Sequence, residues 1–140
     1  STPWEELKAN HPIVNEDNSD LTIRTAGSTS VTDTLQAALE SFQSMAGNFQ
    51  FTMNQTGSGD GYKRVLGEEK DGANAADIGF ASREFEGEED VTQGMASGQY
   101  CIDAVVAVIS ADNTFGVTDL TAEQIKGIFS GEITAWSDLQ

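Results

Sequence analysis

An α/β fold with a mostly parallel sheet flanked by helices is what this sequence predicts, on three observations. Strand, loop and helix recur in that order from Leu21 onward, and parallel strands need helical crossovers of this kind. The apolar residues of 31–46 fall at helical spacing, whereas those of 49–54 alternate with polar ones. The loops after the first two expected strands are rich in glycine and hydroxyl residues, and it is at such strand-to-helix loops that open parallel sheets bind ligands.

Residues 1–20 precede this pattern and read as a leader and linker. Trp4 to Asn10 predicts one or two helical turns entered through Pro3, and His11-Pro12 stops them. Asn15 to Asp20 is polar and acidic. Leu21 to Thr25 is then a short β-prone run, followed by the small-residue loop Ala26-Gly27-Ser28-Thr29-Ser30. Val31, Leu35, Ala38, Leu39, Phe42 and Met45 share one face of a helix expected over Val31 to Ala46, and Gly47 suits its end. Phe49, Phe51 and Met53 alternate with Gln50, Thr52 and Asn54, which predicts a strand. Thr56 to Gly61 reads as a second loop, with a short helix from Tyr62 to about Glu69.

Asp77 to Ala81 is a third short strand, ending at Ser82. The acidic stretch Glu84 to Asp90 reads as a solvated loop, with a short helix near Val91 to Ala96. Ala104 to Ile109 is apolar and β-rich enough to predict a central, buried strand. Thr121 opens the last helix with Gln124 in capping-box position, Ile125, Ile128 and Phe129 on one face, and Gly131 at its end.

Composition narrows the function. The 140 residues carry 23 acidic and 7 basic side chains, a formal net charge of −16. That disfavours nucleic acid, whose phosphates are met by Lys and Arg clusters, and an anionic membrane surface. It does not oppose a small-anion site, because surface charge is screened within about 8–10 Å at physiological salt. Cys101 is the single cysteine, so no internal disulfide framework exists. The longest apolar run, Ala104 to Ile109, falls well short of the roughly 18 residues of a membrane span.

The chemistry lies in the loops. Gly27-Ser28-Thr29-Ser30 and Gly57-Ser58-Gly59-Asp60-Gly61 each join an expected strand to an expected helix. At the carboxyl edge of a parallel sheet, helix N-termini offer unpaired N–H groups and partial positive charge. Glycines let the backbone approach an anion, and hydroxyls add neutral donors; together they make an oxyanion cradle. Ser82 and Arg83 follow the third strand to the same edge. Arg83 is placed either to meet an anion or to pair with Glu84. Neither loop is a Walker A motif. No acid–base pair, His–Cys cluster or calcium-loop spacing supports an enzyme or a metal site, and no cofactor is expected.

In this order the three loops resemble the PstS-like phosphate-binding proteins of bacterial phosphate ABC transporters, within the type 2 periplasmic-binding-protein superfamily. The motifs are Gly27-Ser28-Thr29-Ser30-Val31, Gly57-Ser58-Gly59-Asp60-Gly61 and Ile78-Gly79-Phe80-Ala81-Ser82-Arg83-Glu84, continued by Leu120 to Gly131 and Ile133-Thr134-Ala135-Trp136. The resemblance implies a first lobe over 21–103, and a crossover strand opening the second lobe of a two-lobed clamp over 104–140. It implies an anion site of Ser28, Thr29, Ser30, Ser58, Gly59, Ser82 and Arg83, with Thr29 and Ser58 giving hydroxyls and Ser30 its backbone N–H. Ser82 stands where some relatives carry Asp, which bears on selection of phosphate over sulfate. The family places an Arg and a Gly-Ser-Gly-Thr type loop just after the Trp segment, so this chain, ending at Gln140, is expected to be a piece of a longer protein or one half of a split protein. That protein would be extracytoplasmic and lipid-anchored, with an ABC permease as partner, and the isolated chain is expected to self-associate. A receptor for sulfate, molybdate or tungstate, and a sensor or interaction domain that binds no anion, stay open.

Overall fold

The computed structural model describes every residue but Val105, Asn113, Thr114 and Gln140. Contacts divide the chain into two units, Ser1–Gly98 and Gln99–Gln140. The first holds helices α1 (Pro3–Asn10), α2 (Thr32–Met45) and α3 (Ser58–Val65), and strands β1 (Thr22–Gly27), β2 (Gln50–Gln55) and β3 (Ile78–Phe80); the second holds helix α4 (Ala122–Ser130).

The strands form one parallel sheet, as the sequence pattern predicts, and their order is β2-β1-β3. Gly27 at the end of β1 stands opposite Gln55 of β2 and Phe80 of β3, so all three carboxyl ends finish at one level. The central strand is the buried one: Thr25 and Ala26 are each 1% exposed. In β2, Phe51 and Met53 are half-buried and alternate with exposed Thr52 and Asn54, the pattern of a strand with one face on a core.

That core is built by α2. Val31, Leu35 and Leu39, spaced four apart, are buried together with Val14, Ala46 and Phe49. Phe42 bridges outward, with ring centroids 5.6 Å from Phe49 and 5.8 Å from Trp4. The stretch expected as a leader therefore lends Trp4 and Val14 to the core. Its helix is held by a capping box between Thr2 and Glu5. Asn18 anchors its end, donating from Nδ2 to the carbonyls of Ile13 (2.8 Å) and Ala46 (3.0 Å).

Three expectations shift. Helix α3 opens at Ser58, not Tyr62, and closes at Val65, not Glu69. Gly57, at φ 146°, is its N-cap, and the first turn of a helix makes few internal demands on its N–H groups, so Ser-Gly-Asp-Gly is tolerated there. The helix expected near Val91 to Ala96 is a single 3-10 turn, Val91–Gln93, capped by Asp90. The buried strand expected over 104–109 is absent: Ala104 and residues 106–109 are exposed and form no strand, while Val105 lies outside the described residues. A strand needs a neighbour to complete its ladder, and the second unit has none among the described residues.

Within that second unit, α4 keeps its expected ends, a Thr121–Gln124 capping box and Gly131 at φ 82°. Ile133 lies over Gly127, and Phe115 stacks on Trp136 with centroids 6.1 Å apart. Phe129, expected on the apolar face with Ile125 and Ile128, is 88% exposed. No helix among the described residues is long and apolar enough to cross a membrane.

Candidate functional site

Three segments meet at the carboxyl edge of the sheet with almost no side chains between them. A Cβ on Gly27 would overlap the carbonyl oxygen of Phe80, one on Gly79 would overlap that of Gly61, and one on Gly61 would come within 2.5 Å of that of Phe80. Glycine at these positions lets β1, α3 and β3 approach backbone to backbone. The seam is closed by hydrogen bonds from Ser28 N to Phe80 O and from Gly57 N to Gly27 O, both 2.9 Å. It draws the loops after β1, β2 and β3 together.

Each residue singled out in the sequence has a definite place. Ser58, in the first turn of α3, brings its Oγ to 3.1 Å from Ser82 Oγ and accepts from Ser82 N at 3.0 Å. Two hydroxyls from different loops thus stand side by side at a helix N-terminus. Gly57 gives that helix no side-chain cap, and of the first-turn N–H groups that of Asp60 donates to the Gly57 carbonyl at 3.2 Å, which leaves those of Ser58 and Gly59 for another acceptor. Gly59 is exposed, with open space around its Cα. Asp60 lies in the same turn, its carboxylate accepting from Thr56 Oγ1.

The first loop is arranged differently from what the family resemblance implies. Ser28 is 2% exposed and its Oγ accepts from Ser30 N at 3.1 Å. Its hydroxyl is spent as the cap of the 3-10 turn Thr29–Val31, and the Ser30 N–H is already engaged. Thr29 and Ser30 are exposed, and the Thr29 carbonyl accepts from Thr32 Oγ1 at 2.7 Å. Gln55, which sequence reading passed over, donates from Nε2 to Ser28 O at 3.3 Å and stands 3.3 Å from Thr25 Oγ1. Its position directly after the alternating run 49–54, at the entry to the second loop, was the available signal.

Arg83 pairs with a residue the sequence did not single out. Its Nη1 and Nη2 reach the two carboxylate oxygens of Glu89 at 2.6 and 3.1 Å, and Nη1 also donates to the Glu84 carbonyl at 2.9 Å. The hydrogen bond from Arg83, ahead of all other causes, holds the Glu89 carboxyl below its ordinary range. The same bond raises the Arg83 guanidinium. Glu84 was the expected partner because it is adjacent; it contributes its backbone instead. An acidic run after a lone Arg signals local pairing, but not which acid wins.

The loop 83–90 is pinned to α3 by Tyr62. Its hydroxyl donates to Glu88 O at 3.3 Å and accepts from Asp90 N at 3.2 Å, and its ring lies against Phe85. Beneath this loop, Val65, Leu66, Ile78, Phe85 and Val91 line an apolar cavity of about 430 Å³. Arg24, Lys63 and Arg64 are held by Asp77, Glu68 and Glu69.

Comparison with known proteins agrees with this architecture. Two relatives, both described as "Phosphate-binding protein PstS 2", from serotype V and serotype III strains of Streptococcus agalactiae, are 33% identical over 114 residues. The match covers 81% of this chain and 36% of each relative, so the chain spans little more than a third of their length. No solved structure gives a significant match. The model of the PBP superfamily domain matches residues 14–140, which takes in the sheet, the three loops and α4, and the chain belongs to that superfamily.

Proposed function

We propose that the chain is part of an extracytoplasmic solute-binding protein that captures inorganic phosphate for an ABC importer and catalyses no reaction itself. The meeting of Ser58 and Ser82 at the uncapped N-terminus of α3 carries this reading. Neutral hydroxyls and helix N–H groups can hold an anion without a net positive surface, which suits a chain of charge −16. The relatives' description as phosphate-binding proteins supplies phosphate as the ligand, and the importer's permease follows as partner. Thr29 and Ser30, through their hydroxyls, and Gly59, all exposed at the same edge, complete the donor set.

Amide NMR during titration with phosphate, sulfate and molybdate tests this. Phosphate should move the signals of Thr29, Ser58, Gly59 and Ser82 together. Ser58→Ala and Thr29→Ala should each weaken binding by about 1–3 kcal/mol, the cost of a lost anion donor. Unmoved signals would overturn the reading, and equal responses to all three anions would replace it with a general oxyanion receptor.

A further inference from the structure

Arg83 is the one cation of the first unit, among the described residues, whose chain neighbour takes part in the Ser58–Ser82 contact. A guanidinium beside an anion site is the strongest available ligand group, because it offers paired charge-assisted hydrogen bonds. Here both its terminal nitrogens are engaged by Glu89. Glu89 is not free to drift: its side chain is mostly covered, Oε1 also accepts from Glu86 N at 3.2 Å, and Tyr62 ties the flanking residues Glu88 and Asp90 to α3. The Arg83 side chain is the more exposed partner, so the pair can open by movement of the arginine while the carboxylate stays.

We propose that Glu89 sets the affinity of the site by competing with the bound anion for Arg83. With Arg83 on Glu89, the anion meets hydroxyls and helix N–H groups alone. With Arg83 released, it gains a bidentate cation, and the cost of that gain is the broken ion pair. The pair is a built-in competitor that keeps affinity below what the same residues would give without it. This inference rests on the proposed anion-binding reading.

Phosphate titrations of the full chain, followed through the amide signals of Ser58 and Ser82 and the Nε–H signal of Arg83, test it. A half-exposed ion pair contributes modestly, so Glu89→Gln should tighten phosphate binding about two- to fivefold. Gln keeps an oxygen for the Glu86 N–H, so the loop should hold. Adding Arg83→Ala to Glu89→Gln should erase the gain, and phosphate should shift the Arg83 Nε–H signal in Glu89→Gln. Glu88→Gln makes the same change in net charge but uses a residue that meets Tyr62 only through its backbone; it should leave affinity at the parent value. Equal tightening by Glu88→Gln, or a gain that survives Arg83→Ala, would overturn the proposal. So would parent-like affinity in Glu89→Gln while phosphate still moves Ser58 and Ser82. If phosphate moves neither amide in the parent or in Glu89→Gln, the anion-binding reading falls, and this inference with it.

Discussion

Asp77 and Arg24 hold the entry to β3 through four hydrogen bonds. Arg24 donates from its backbone N (2.8 Å) and Nε (3.2 Å) to Asp77 Oδ2, and from Nη2 (2.9 Å) to Oδ1; Asp77 N returns one to Arg24 O at 2.8 Å. The arginine hydrogen bond, foremost among the causes, lowers the Asp77 carboxyl. A carboxyl lowered in the folded state stabilises the fold above its unfolded value, about 3.9, and loses that contribution as pH falls through the folded value. Urea unfolding should therefore show a stability decline below about pH 4 that is shallower in Asp77→Asn. At pH 7 the variant should lose little, because both side chains are over 40% exposed and such pairs are screened by solvent. Identical acid slopes for variant and parent would show that other carboxyls govern the decline. None of this pairing was legible beforehand. Arg24 and Asp77 lie 53 positions apart, and only the register of β1 on β3 brings them together. The hydroxyls at the carboxyl edge were legible, because their place follows from strand direction alone.

The helices and strands of the first unit were legible where one period ran for several turns or residues. The four-residue spacing of Val31, Leu35 and Leu39 gave α2, and the alternation of Phe51 and Met53 gave β2. The start of α3 was not, because Ser-Gly-Asp-Gly has poor helix propensity and its helical state is imposed by packing against Phe80. Two alanine substitutions separate those influences. Gly61→Ala should destabilise the unit by about 1–3 kcal/mol, since its Cβ has no room and α3 must shift. Gly59→Ala, two residues earlier in the same helix with open space beside it, should stabilise by about 0.5–1 kcal/mol through reduced backbone freedom in the unfolded chain. Thermal unfolding of the pair checks both signs, and equal effects would show that the close approach at Gly61 carries no energy. The 104–109 run failed as a strand for the converse reason: its composition suits a sheet, but a strand is completed only by its neighbours.

At the scale of the whole chain, order is unevenly shared. Residues 94–110 have neither helix nor strand among those described, and the boundary between the units falls within them, after Gly98. Tyr100 is 47% exposed, and exposed backbone outside helix and strand is where proteases enter. Chymotrypsin should cut first at Tyr100 and leave a piece that keeps Trp4, the core of α2 and all three strands. Mass spectrometry of the early products checks this, and a first cut inside β1 or α2 would contradict it. The seam of bare backbone among Gly27, Gly61 and Gly79 also limits how this sequence can diverge. A descendant that replaces Gly61 must first displace Phe80, and one that replaces Gly79 must displace Gly61. The three positions are tied into a single heritable character, kept or lost together, while Gly59 and Gly98 have room beside them to drift. Lineages descending from this chain should therefore transmit a pattern of missing side chains more faithfully than any of the hydroxyls that line the edge.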